Sequence, residues 1–251
     1  MNSNNERKHI ASLREYKSQD WMGARRVPMP SQFRVPFNEC KNIDKHYSQA
    51  GQDLFVLSCL NGKSKGVYLD IGCGSPTMIN NTYLLEDCFS WGGISIDISP
   101  DPWDGEILSW EQRDSLLLKE DARYLDFDKI TKIASSNHFD YLSIDLEPAA
   151  VSLECLKNIP FDKVSFSVIT YEHDFYRGLG DYREESREII EKNGYKSVCR
   201  NVKWNGLTFE DWYYNPNYIS RDTVHPLDSD DQEWQQILFT EDFFEQPPHT
   251  T

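Results

Sequence analysis

The sequence predicts an α/β fold: a doubly wound, mostly parallel seven-stranded sheet with helices on both faces. Three observations carry that prediction. Apolar, β-branched runs alternate with segments of helical periodicity from about residue 48 to residue 202, and such alternation requires crossover connections that set the strands parallel. The run Val67-Tyr68-Leu69-Asp70-Ile71-Gly72-Cys73-Gly74 ends on an acid and breaks at once into a glycine turn, as a buried strand does where its carboxyl end approaches a ligand. A chain of 251 residues is long enough for one large α/β core with extensions.

Residues 1–45 are expected to form an N-terminal arm. Ser3 and Glu6 fit a capping box opening a short helix through Tyr16, after which Val27-Pro28-Met29-Pro30 and Val35-Pro36 deny regular structure. Residues 1–40 carry seven Lys or Arg against four Asp or Glu, a net +3, leaving −18 for the remainder. Arg25, Arg26 and Arg34 read as a solvated surface, with a docking patch as the alternative. The main domain is placed at residues 46–220. Leu54, Phe55, Leu57 and Leu60 give it a first helix, which Asn61-Gly62 stops. Strands are then expected at residues 66–71, 93–97, 115–119, 141–146, 164–170 and 195–201, and helices at 80–89, 103–113, 127–134, 149–158 and 183–193. A last strand over 208–214 completes the sheet edge, with Trp204-Asn205-Gly206 as a hairpin turn before it. The C-terminal extension, residues 221–251, has eight acids and, from Asp222 to Thr251, no Lys or Arg, yet also Trp234, Ile237, Leu238, Phe239, Phe243 and Phe244. Aromatics at that density pack rather than stay disordered.

A formal net charge of −15 argues against a nucleic-acid partner, since phosphate binding needs a basic footprint. Six cysteines without a Cys-x-x-Cys pair read as small core residues and not as a zinc site or disulfide scaffold. Met1 to Arg7 are polar with no apolar stretch following, and no window is long enough to span a bilayer. A reducing cytoplasm is the expected location, with no membrane partner.

The charge at the end of the first strand narrows the ligand. Asp70 sets a carboxylate where a dinucleotide fold aims amides at a pyrophosphate, so a cationic ligand is favoured. A nicotinamide-dependent oxidoreductase is the alternative enzyme; it would use Gly72 and Gly74, but Thr77 stands where its third glycine belongs. Asp97 closes Ile94-Ser95-Ile96-Asp97, 27 positions after Asp70, with Ile98 beside it. A carboxylate there can accept both hydroxyls of a ribose, a surface loop acid being the alternative.

Asp-x-Gly-x-Gly at Asp70 to Gly74 resembles the first motif of class I S-adenosylmethionine-dependent methyltransferases. The wider chain, over about residues 46–220, is similar to the FkbM family within them. Its matching stretches are Ser48 to Asp53, Leu69 to Gly74, Asn81-Thr82 with Leu85-Glu86, Trp91 to Ile94, Asp145-Leu146-Glu147, Asn205-Gly206 and Phe209 to Trp212. The resemblance implies a Rossmann-like sheet with an antiparallel last strand, S-adenosylmethionine as cofactor, and methylation of an oxygen, a sugar hydroxyl of a glycan or glycosylated metabolite. It also implies that Asp70, Gly72, Cys73 and Gly74 face the methionine part and that Asn81, Thr82 and Glu86 border the cofactor, although Asn80 and Asn81 equally fit helix caps. Near the adenine it implies Asp121, with Glu120 as rival, and a backbone contact at Ala122. Two departures stand out: Pro76 and Thr77 where a third glycine is common, and Pro148 where a glycine often follows the acids.

The fourth strand ends Ser143-Ile144-Asp145-Leu146-Glu147-Pro148 and the fifth Ile169-Thr170-Tyr171-Glu172-His173-Asp174. On adjacent strands they bring up to four carboxylates and an imidazole together, and alternation sends Asp145 and Glu147 to one side with Leu146 opposite. The expected catalytic set is His173, Asp145, Glu147 and Glu172, with Asp145 also beside the cofactor. His173 leads as general base, a structural histidine bonded to Asp174 or a carbonyl being its alternative. Asp145 and Glu172, with His173 or Asp174, are also a hard oxygen-rich set for Mg2+, while Asp145 and Glu147 fit helix capping too. Phe175, Tyr176, Arg177 and Gly178 to Tyr182 are expected to close over the acceptor. A reading from another class is a non-catalytic binding module that keeps the fold.

Overall fold

The computed structural model of the protein describes residues 25–100 and 106–245; the helix expected through Tyr16 lies outside them. Among the described residues the main sheet comprises β3 (Val67–Ile71), β4 (Gly92–Ile96), β5 (Leu116–Leu118), β6 (His138–Ile144), β7 (Ser165–Glu172), β8 (Lys196–Trp204) and β9 (Leu207–Tyr214), in the order β5-β4-β3-β6-β7-β9-β8. The first five run parallel, and β9 is antiparallel to both neighbours. The doubly wound, mostly parallel sheet is therefore present. A two-residue ladder of β1 (Arg25–Arg26) and β2 (Lys45–His46) precedes it.

The last strand is not the sheet edge, as expected from its place in the chain, but lies between β7 and β8. Every residue from Phe209 to Tyr214 is buried, so the strand needs cover on both flanks as well as both faces. β8 takes the edge, where Lys196, Arg200 and Lys203 discourage further pairing. Asn205 and Gly206, at φ 55° and 81°, make the two-residue hairpin turn between them.

The helices are α1 (Gln52–Cys59), α2 (Tyr83–Phe89), α3 (Phe127–Ala134), α4 (Ala149–Asn158) and α5 (Arg183–Lys192), then the short α6 (Arg221–Val224), α7 (Trp234–Leu238) and α8 (Glu241–Glu245). The helix expected over 103–113 is absent from its described part, which holds only a 3-10 turn at Trp110–Gln112. Its side chains serve as tethers instead: Glu106 accepts from the Thr77 amide, Trp110 Nε1 donates to Gly74 O, and Arg113 enters a buried polar cluster. Such tertiary bonds override helical propensity.

Tyr68 faces one apolar core, with α1, α2 and the C-terminal segment, while Leu69 and Ile71 face a second with α3, α4 and α5. The arm and the C-terminal segment meet in the first core: Phe33 pairs with Phe239, Arg34 N donates to Leu238 O and Thr240 N to Gln32 O. Arg25, expected in solvent, is 4% exposed and donates to the carbonyls of Ser48 and Gln49. Its place on the β1–β2 ladder turns it inward to clamp the segment before α1. All six cysteines are free and five are buried. Among the described residues no helix is long and apolar enough to cross a membrane.

Candidate active site at the carboxyl end of the sheet

Strand order reverses between β3 and β6, and a crevice opens outside the carboxyl ends of such a pair. A cleft of about 730 Å³ lies there, walled by the segments that follow β3 to β7. Its floor depends on Gly72. At φ +88° a Cβ on this residue would stand 1.7 Å from the Asp145 carbonyl oxygen, and the Asp145 amide bonds to Ile71 O at 2.9 Å. Two strand ends touch backbone to backbone, which only glycine permits. Cys73 also lines the cleft.

Asp97 follows β4 and is aimed by two amides, Gly74 N to Oδ2 at 3.0 Å and Ser99 N to Oδ1 at 2.7 Å. A carboxylate has about four acceptor sites, so two remain for a ligand. Ile98 lies exposed beside it on the same wall. After β5, Glu120 pairs with Lys129 at 2.5 Å, and Asp121 caps a 3-10 turn while binding the Arg123 guanidinium at 2.6 Å. Hydrogen bonds from Arg123 hold the Asp121 carboxyl below its usual range. Ala122 joins them in the wall.

β6 ends at Ile144, so the alternation expected through Leu146 lapses, and Asp145, Leu146 and Glu147 all line the cleft. Glu172 ends β7 and lines it as well. Burial raises the Asp145 carboxyl, and burial together with the Asp145 charge raises Glu172 well above the ordinary range. Arg177 reaches from the next turn to Glu147 and, at 2.8 Å, to Asp174. Among the described residues no group of three or more His, Cys, Asp or Glu side chains is arranged to hold a metal ion.

Five residues expected at the site stand away from the cleft wall. Asp70 is buried beneath the glycine turn, where Thr82 Oγ1 donates to it at 3.1 Å. Asn81 Nδ2 donates to Ser143 Oγ, and Glu86 accepts from Tyr68 OH and Arg113 Nε. These residues form a polar layer behind the turn, centred on Arg113, whose guanidinium also bonds Pro76 O, Asn80 and Thr82. Arg113 went unremarked in the sequence, where it is the last residue of the helix expected over 103–113. The only signal was Glu86, a buried acid that needs a cation.

His173 is fully buried. Its amide donates to Phe209 O, its Nδ1 accepts from Phe175 N at 3.3 Å, and its Nε2 lies 3.5 Å from Asp211 Oδ1, with Arg187 Nε 2.7 Å from the other oxygen. Burial alone would raise the Asp211 carboxyl, but hydrogen bonds from His173 and Arg187 hold it below the usual range.

No protein-family model matches the chain, and no curated protein matches it in sequence. Among solved structures, a putative rRNA-methylase from Clostridium thermocellum is similar over 69% of this chain and 97% of that one, at 13% identity and a TM-score of 0.44. Magnesium protoporphyrin IX methyltransferase (ChlM) from Synechocystis PCC 6803, solved with bound SAM, is similar over 65% of this chain and 76% of that one, at 12% identity and a TM-score of 0.43.

Proposed function

We propose that the chain is an S-adenosylmethionine-dependent methyltransferase that methylates an oxygen, a sugar hydroxyl of a glycan or glycosylated metabolite as the FkbM resemblance implies. The observation that carries the cofactor class is the sign of the cleft. Six carboxyl side chains line it, Asp97, Glu120, Asp121, Asp145, Glu147 and Glu172, against Arg123 and Arg177, and both arginines are already paired with acids. A pyrophosphate would meet like charge there, whereas a cofactor bearing an ammonium and a sulfonium meets its complement. The electrostatic role expected of Asp70 thus passes to acids further along the strand ends. A nucleic-acid acceptor is disfavoured for the same reason.

The volume suits a ligand of nucleoside size. In this reading Asp97 accepts the ribose hydroxyls, Asp121 and Ala122 border the base, and the turn from Gly72 to Gly74 borders the amino-acid end. When bound, the cofactor supplies a methyl carbon on positive sulfur, and its bond to sulfur breaks as the bond to the acceptor oxygen forms. The chain aligns the two reactants, which can be worth about 7–11 kcal/mol. Glu172 with Asp145 takes the hydroxyl proton, since burial makes this pair a stronger base than a free carboxylate. His173, set against Asp211, holds the end of β7 so that Glu172 faces the cleft.

Isothermal titration with S-adenosylhomocysteine and with NAD tests the reading. S-adenosylhomocysteine should bind and NAD should not, and Asp97→Ala should weaken binding by about 1–3 kcal/mol through loss of the ribose contacts. Binding of NAD alone would transfer the site to the oxidoreductase class.

A further inference from the structure

One charge on S-adenosylmethionine is wrong for an acidic cleft, the carboxylate of its amino-acid end. Six carboxyl side chains line the wall, and both arginines there are already paired. The cofactor's carboxylate therefore needs a part of the wall that offers donors and no acid.

The stretch after β3 is such a part. Gly72, Cys73, Gly74, Ser75, Met78 and Ile79 line the cleft with no acidic side chain among them. Carbonyl oxygens repel an anion, and those of this turn are taken up by side chains that stand off the cleft wall: Asn80 Nδ2 donates to Cys73 O at 3.2 Å and to Ser75 O at 2.9 Å, Trp110 Nε1 to Gly74 O at 3.2 Å, and Arg113 Nη1 to Pro76 O. Ser75 is 3% exposed, and among the described residues its Oγ has no hydrogen-bond partner. A buried hydroxyl without a partner costs free energy, so in a cleft wall it marks a bond that a ligand completes. Gln49 lines the cleft too. Tyr47, two residues before it, packs on Tyr83 at 4.5 Å, and Tyr83 N donates to Asn80 Oδ1, which sets the Gln49 segment beside the Ser75 turn.

On the methyltransferase reading, we propose that Ser75 is the residue by which the cleft selects a cofactor with a free carboxylate: its hydroxyl donates to that carboxylate, and the neutral side-chain amide of Gln49 adds a second bond. The ammonium of the same end is left to the acids. The two charges of the amino-acid part are thereby sorted onto different parts of the wall, which fixes the direction in which the sulfur points.

The test titrates the full chain with S-adenosylhomocysteine and with its decarboxylated form, which keeps the ammonium and lacks only the carboxylate. On charge alone an acidic cleft prefers the decarboxylated compound, a net cation, to the zwitterion. The Ser75 subsite reverses that order, and S-adenosylhomocysteine should bind about ten-fold tighter or more. Ser75→Ala should cut this ratio several-fold and leave affinity for the decarboxylated form within about two-fold; the unliganded variant should resist urea at least as well as the parent, because a hydroxyl without a protein partner adds nothing to the fold. Gln49→Leu, outside the turn, should lower the same ratio and gives the reading should the first variant not fold. Equal or tighter binding of the decarboxylated form by the parent, or a ratio that both variants leave intact, overturns the inference. So does a Ser75→Ala chain that loses stability and both ligands alike, which marks a structural serine. Failure of both compounds to bind would bring down the methyltransferase reading with it; binding of both without a carboxylate preference removes this inference alone.

Discussion

Beneath the glycine turn, the Asp70 carboxyl is 2% exposed and bonded to Thr82, and burial pushes its pKa up to about 6. The folded chain therefore keeps a proton that the unfolded chain releases from about pH 4 upward, so Asp70 costs nothing below that range and stability falls as pH rises through about 6. Asp70→Asn has no proton to lose. Its stability relative to the parent should improve by up to about 3 kcal/mol between pH 4 and pH 8, read by urea unfolding at each pH. A difference independent of pH would mean that burial does not burden this carboxyl. The sequence showed that an acid ends the strand, and period-two alternation puts Asp70 with Tyr68 and opposite Leu69 and Ile71. It did not show which face meets α2, because that is settled by Arg113 and Glu86, a pairing made across 27 positions. Gly72 was legible as a turn, but the oxygen that excludes a side chain there belongs to Asp145, on another strand.

At the scale of elements, local signals were read well and non-local ones poorly. α3 appeared in the sequence over the same residues because it is closed locally, with Asp126 accepting from Lys129 N and Ser135 ending it at φ 51°. The segment before β5 failed as a helix, and β9 was misplaced at the edge, since both are fixed by partners far along the chain. β9 is held in its central position partly by Asp211, which Arg187 of α5 meets with two bonds at 2.7 and 3.1 Å. Arg187→Met takes the guanidinium from that buried carboxylate and leaves it the Asn201 amide, the Tyr213 hydroxyl and His173, and breaking such a pair costs about 3–5 kcal/mol. Chemical denaturation should show a loss of that order, with most of it recovered in the double variant with Asp211→Asn. A loss under about 1 kcal/mol would place the pair among weak surface bridges. Because Glu172 leads directly into His173, the single variant should also lower turnover, while the double variant separates charge imbalance from misplacement of the strand end.

Across the whole molecule, the two chain extensions that look separate in sequence form one clasp over the first core. Trp234 is buried with its ring 5.5 Å from His46 and 5.8 Å from Phe239. Its indole lies so close to Gly51 that a Cβ there would stand 2.6 Å away, so the C-terminal segment presses on the turn opening α1. Arg25 grips the same stretch through the Ser48 and Gln49 carbonyls, and Gln49 lines the cleft. The clasp thus supports one wall of the site from behind. The aromatic density of the C-terminal segment foretold that it packs; its partner, the N-terminal arm, was hidden because Phe33 and Phe239 are joined only in the folded chain. Trp234→Ala should cost about 3–5 kcal/mol, the range for emptying a large aromatic site, measured by denaturant unfolding. Saturating S-adenosylhomocysteine should stabilise the variant less than the parent, because the loosened turn carries Gln49 with it and weakens binding. Equal ligand stabilisation would separate the clasp from the cleft, and a loss under about 1 kcal/mol would make it a surface appendage.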